Sequence, residues 1–75
     1  MSPVDNVIQP GQIWKDRRAD NIRSLRVERI EAGRVYLTVV RQTYQGVTTE
    51  PMRPTDMTVA RLLSRSFVLE QEAVR

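Results

Sequence analysis

The chain has 75 residues, twelve of them basic and nine acidic, with no cysteine and no histidine. That length holds one domain, near the lower limit at which a single hydrophobic core suffices, and the composition excludes disulfides, thiolate nucleophiles, zinc-finger ligand sets and imidazole bases. The net charge of +3 is uneven: residues 1–14 carry −1, residues 15–41 carry +4 and residues 42–75 carry zero, and eleven of the twelve basic residues are arginine.

Residues 1–9 carry Asp5, no basic residue and no apolar run of signal-peptide length, and are expected to form a flexible segment. No window approaches the roughly 20 apolar residues of a membrane span. A soluble cytoplasmic protein, with one domain over residues 10–72 and a tail over 73–75, is the expectation. Pro10-Gly11 is a turn dipeptide. Beyond it Ile13 and Trp14, with Ile8, are expected to anchor a first strand from Gln12 to about Asp16. Trp14 reads as a core-closing residue, with an exposed stacking platform as the alternative.

The polar stretch from Asp16 to Asn21 reads as an exposed loop carrying Arg17 and Arg18. From Arg23 to Arg41 the sequence reads as two strands of a hairpin. Leu25 and Val27 alternate with polar residues, but an even spacing to Ile30 would put Arg29 on the inside. Either a β-bulge after Val27 inserts one residue, which would turn Arg29 outward to join Arg26, or the strand twists and lets both faces contribute to burial. Gly33 is expected to close the turn as the left-handed residue of a three-residue loop. The run from Val35 to Val40 places Val35, Leu37 and Val39 on one face and Tyr36, Thr38 and Val40 on the other, the pattern of a central strand.

Gln45-Gly46 breaks the chain again, and Val47–Thr49 reads as a short strand that Pro51 and Pro54 confine to an edge. The last twenty residues admit two readings. One is a continuous amphipathic helix with Val59, Leu62, Leu63, Ser66, Phe67 and Val74 on one side. The preferred one is a helical turn over Thr58–Ser64 followed by a final strand, SFVLEQ, with Phe67 and Leu69 inward and Val68 and Glu70 outward, pairing with the first strand. The expected fold is thus mainly β, a small barrel of about five strands with a short helical turn before the last strand.

This order of elements resembles an SH3-like barrel. The segments PGQIW, RVERI, RVYLTV and FVLEQ also resemble short proteins of phages and actinobacterial genomes, and the resemblance spans nearly the whole chain. It implies a fold; it implies no activity, because most such proteins have none assigned.

No catalytic constellation is legible. The carboxylates Glu28, Glu31, Glu50, Asp56, Glu70 and Glu72 all fall in stretches that read as solvated, whereas acid–base pairs need a pocket. Lys15 is the only lysine and has no Ser-x-x-Lys context. The scattered Gly11, Gly33 and Gly46 fit neither the P-loop nor the dinucleotide fingerprint. Asp16 and Asp20 flank Arg17 and Arg18, which would repel a metal ion. No enzyme activity, cofactor or metal is expected.

A binding role remains, and the first expectation is an accessory or regulatory protein-binding module using Trp14, Tyr36 and Tyr44 as aromatic contacts. A nucleic-acid patch built from Arg17, Arg18, Arg23, Arg26, Arg29, Arg34 and Arg41 is the second; its phosphate contacts would be sequence-nonspecific and salt-dependent. Against it stands a sheet surface on which arginines pair with glutamates across strands. A homo-oligomeric structural component is the third reading.

Overall fold

The computed structural model describes residues 8–18 and 20–73. The flexible segment expected over residues 1–9 lies outside these except at Ile8 and Gln9, as do residues 74 and 75 of the tail. Six strands and one helical turn follow in chain order: β1 (Ile13–Arg17), β2 (Asn21–Glu31), β3 (Arg34–Tyr44), β4 (Val47–Thr49), β5 (Arg53–Thr58), α1 (Val59–Leu62) and β6 (Phe67–Gln71).

β3 is the central strand, as its two moderately apolar faces suggest. It pairs with β2 along one edge from end to end. Its other edge is shared: β5 pairs with Arg34–Val39 and β4 with Gln42–Tyr44, so the two short strands lie in line. β2 pairs with β1, and β1 with β6, all antiparallel. The sheet therefore runs β4/β5, β3, β2, β1, β6 and has two open edges.

This corrects the expected closed barrel of about five strands: there are six strands, and β6 pairs with β1 but with neither β4 nor β5. The chain leaves β5 directly into α1, which Thr58 caps by accepting the Arg61 N–H at 3.2 Å. The helical turn and the turn after it carry the chain from one edge strand to the other, and the fully buried Leu62 fills the core at that opening where a β5–β6 ladder would have stood. The short helix and the separate final strand take the place of a continuous C-terminal helix. Phe67 is buried and Val68 exposed, which matches the alternation read from the sequence.

β5 was not foreseen. Pro51 and Pro54 were read as confining Val47–Thr49 to an edge, with no further strand foreseen across them, but Pro54 itself faces Thr38 from the edge of the sheet, where no second neighbour needs its missing N–H. Met52, with φ of 50°, redirects the chain between β4 and β5.

The core lies on one face of the sheet. Trp14, Leu25, Val27, Val35, Leu37 and Val39 supply the sheet side, and Ile8, Met57, Leu62 and Phe67 complete it. Gln12 is buried among them. Its Oε1 accepts from the Gln9 N–H at 2.8 Å and from the Trp14 indole at 3.1 Å, and its Nε2 donates to Glu72 at 3.1 Å. One amide thus ties the start of the described chain to its end, and buried polar groups of this kind are costly unless paired.

One turn is tighter than expected. Glu31 pairs with Arg34, leaving Ala32 and Gly33 as a two-residue loop rather than a three-residue one. Both have positive φ, 51° and 79°, the signature of a type I′ turn. Gln45 and Gly46, at 50° and 81°, repeat it between β3 and β4. For Ala32 the left-handed conformation costs about 1–2 kcal/mol because its Cβ crowds the backbone. Ala32→Gly is accordingly expected to raise the urea midpoint by the equivalent of about 1 kcal/mol; an unchanged or lower midpoint would contradict the turn geometry.

Candidate functional site

The direction in which each arginine points is set by two register shifts in the β2–β3 ladder. Val27 faces Leu37 and Arg29 faces Tyr36, so Glu28 is an extra residue on β2. Of the two readings of the broken alternation after Val27, a bulge or a strand twist, this is the bulge. It places Arg26, Arg29, Tyr36 and Thr38 together on the outer face. A second shift, not foreseen, inserts Val40 on β3: Leu25 faces Val39 and Ser24 faces Arg41. It turns Arg41 outward and swings Gln42 and Tyr44 to the core side of the sheet, beyond the end of the core.

Four of the arginines proposed for a nucleic-acid patch are ion-paired within the sheet. Arg26 reaches Glu28 at 2.9 Å, Arg29 lies 3.9 Å from Glu31, and Arg34 meets Asp56 at 2.6 Å. Arg29 also covers the Tyr36 ring, with its guanidinium carbon 4.1 Å from the ring centroid. Thr38 Oγ1 donates to Glu28 at 2.7 Å, and this bond, followed by that from Arg26, holds the Glu28 pKa below its ordinary value.

Arg23 differs. It points to the core side and binds Asp16 through Nη2 at 2.8 Å and Nε at 3.2 Å. Asp16 is 2% exposed, and its other oxygen, Oδ1, has no hydrogen-bond partner; nor does Asn21 Oδ1, two residues before Arg23. The seven arginines therefore do not converge: Arg23 lies on one face, Arg26, Arg29 and Arg34 on the other, Arg41 beyond the second shift, and Arg18 in the exposed β1–β2 loop. The Arg17 side chain lies outside the described part of the structure.

The aromatic set divides too. Trp14 is 5% exposed and its indole N–H is taken by Gln12, so its ring offers no surface to a partner and its binding role is withdrawn. Tyr36 lies under Arg29 on the outer face. Tyr44 alone is open, at 50% exposure, and its cross-strand neighbour Val47 is 64% exposed. Together with Met52 these are the three most exposed large apolar side chains among the described residues, and all fall within residues 44–52.

That segment projects. The molecule measures 42 × 23 × 21 Å, and an eleven-residue strand spans roughly 36 Å. On β3 no residue after Val39 is buried. The Asn21/Tyr44 end is thus an arm of sheet extending past its own core, stitched by a Thr43–Thr48 hydroxyl bond of 2.9 Å and by Arg53 donating to Gln42 at 3.3 Å. Tyr44 was named from the sequence; Val47 and Met52 were not, because single apolar residues beside prolines carry no pattern.

Among the described residues, no group of His, Cys, Asp or Glu is placed to hold a metal ion, and no helix is long and apolar enough to cross a membrane. No protein family, curated protein or solved structure matches the chain. The labels attached to the expected barrel, namely a phage protein, DNA binding and a regulatory role, find no support in those comparisons and are not carried further.

The two kinds of arginine pair differ in cost. Arg23→Met leaves a buried carboxylate unpaired and is expected to lose about 2–4 kcal/mol of stability. Arg26→Met, at a pair whose members are both about two-fifths exposed, loses less than about 1 kcal/mol. Equal losses in chemical denaturation would contradict the assignment of Asp16 as the buried partner.

Proposed function

We propose that the chain is a non-enzymatic protein-binding module, cytoplasmic in keeping with its cysteine-free sequence, whose contact surface is the projecting Asn21/Tyr44 end. The observation that carries this reading is the placement of Tyr44 and Val47. They face each other across β3 and β4, half or more of each residue's surface remains exposed, and the arm that holds them extends beyond the core. Tyrosine is among the residues that dominate interface energetics, because it offers a large rigid surface with a polar tip.

The arm is also a rigid mount. Its backbone is paired on both sides of β3, and the type I′ turn at Gln45-Gly46 fixes the register of Tyr44 against Val47. Little ordering cost remains to be met on binding, which favours affinity from a small surface. On the outer face nearest the Ala32-Gly33 turn, by contrast, Arg26, Arg29 and Arg34 are already engaged by carboxylates.

A photoreactive amino acid at Val47 is expected to give a covalent adduct with a partner protein in cells of the source organism, suppressed by Tyr44→Ala. The same probe at Ala60, exposed on α1, is expected to give none. Adducts of equal yield at both positions, or adducts at Val47 indifferent to Tyr44, would contradict the reading.

A further inference from the structure

The two open edges of the sheet are not alike. On one, β5 carries Pro54, which has no N–H to offer, with Arg53 and Asp56 on either side of it, and β4 is three residues long. Proline, charge and shortness guard an edge against further pairing. On the other, β6 has neither proline nor lysine over Phe67–Gln71 and pairs with β1 alone. The helical turn does not close that edge, because α1 packs against β5 and β3. The register shift at Ile13/Trp14 leaves Glu70 as an extra residue on β6, so the regular part of the strand is Phe67–Leu69. At its middle stands Val68, 42% exposed on the outer face beside Lys15 of β1.

The chain on either side of this short run is charged in opposite senses. Arg61 and Arg65 precede it and Glu70 and Glu72 end it, all four exposed. Among the described residues none of the four is in an ion pair. Glu70 accepts from the Ser24 hydroxyl at 2.9 Å and Glu72 from the Gln12 amide at 3.1 Å, so each carboxylate is held by a neutral donor and no cation cancels it. A five-residue strand is roughly 17 Å long, and it keeps its own basic and acidic ends apart.

We infer that the open edge of β6 pairs with β6 of a second copy of the chain, antiparallel about a two-fold axis at Val68. That register sets Phe67 against Leu69 of the second copy on the core side and the two Val68 side chains against each other on the outer side. It also brings Arg65 of each copy to Glu70 and Glu72 of the other. The alternatives lose one of these matches. Parallel pairing would put Arg65 beside Arg65 and Glu70 beside Glu70; centring on Leu69 would oppose Val68 to Glu70; centring on Glu70 would oppose two carboxylates. Pairing with the guarded edge would build an open chain of copies, whereas the two-fold contact closes on itself. So short a contact falls well below the roughly 800 Å² per partner of a standard interface, and the dimer is accordingly weak. Because the axis reverses strand direction, the two Asn21/Tyr44 ends lie at opposite ends of the dimer and stay free for a partner.

The test is sedimentation of the full chain at low salt from about 20 µM to about 2 mM, with NMR at both ends of that range. A monomer–dimer equilibrium with a dissociation constant on the order of 1 mM is expected, with concentration-dependent shifts in the amides of Phe67, Val68 and Leu69. Arg65→Glu and Glu70→Arg are each expected to weaken it at least about fivefold. An equimolar mixture of the two variants is expected to recover most of the loss, since the mixed pair restores opposite charge at both ends of the contact; misfolding of either variant could not produce that recovery. Tyr44→Ala leaves the dimer unchanged, which keeps this inference separate from the role proposed for the arm. A single monomer mass up to about 2 mM, Phe67–Leu69 amides indifferent to concentration, a dimer of undiminished strength in both variants, or a mixture no stronger than its components would overturn the inference.

Discussion

Everything in this structure that concerns the charge of the long hairpin depends on one antiparallel ladder and on the two residues it leaves unpaired. β2 and β3 face each other over eleven residues each, and side-chain direction along such a ladder is fixed by parity. The extra residue Glu28 reverses that parity on β2, and the extra residue Val40 reverses it on β3. Without the first, Arg29 would point at Val35 in the core. Without the second, Arg41 would point to the core side and Tyr44 away from it. The core survives because both reversals fall outside the span where Leu25, Val27, Leu37 and Val39 meet.

The energetic consequences of these reversals differ from the functional ones. Exposed pairs such as Arg26–Glu28 contribute at most about 1 kcal/mol each, so the outer face is not what holds the fold together. Stability comes from the apolar face, from Gln12 with its three described hydrogen bonds, and from the buried Asp16–Arg23 pair. What the bulges govern is where charge is left over. They bring Arg29 to Tyr36 and Glu31, and they turn Arg41 to the outer face opposite Ser24, where it has no ion-pair partner among the described residues.

Sequence reasoning narrowed the region after Val27 to a bulge or a strand twist, because Val27 and Ile30 violate alternation, and the ladder shows the bulge, at Glu28. It found β3 from its β-branched density, and Phe67 and Val68 from a simple alternation. It did not reach the bulge at Val40, since Val39, Val40 and Arg41 break no visible pattern. It applied the edge reading of the prolines to Val47–Thr49 and did not extend it to β5, where Pro54 itself lies within an edge strand. Closure of the barrel was assumed from the pairing of the first and last strands; whether the remaining edges meet depends on the path of residues 59–66, where Leu62 fills the core. The aromatic set was legible only in part, because burial of Trp14 and exposure of Tyr44 follow from position in the sheet and not from residue type.

The central claim is the reversed register of β2 after Val27, and cross-strand nuclear Overhauser contacts test it directly. Backbone contacts linking Arg29 with Tyr36 and Ile30 with Val35 are predicted. Contacts linking Glu28 with Tyr36 and Arg29 with Val35 would mean an uninterrupted ladder, with Arg29 turned inward and the charge distribution described above undone.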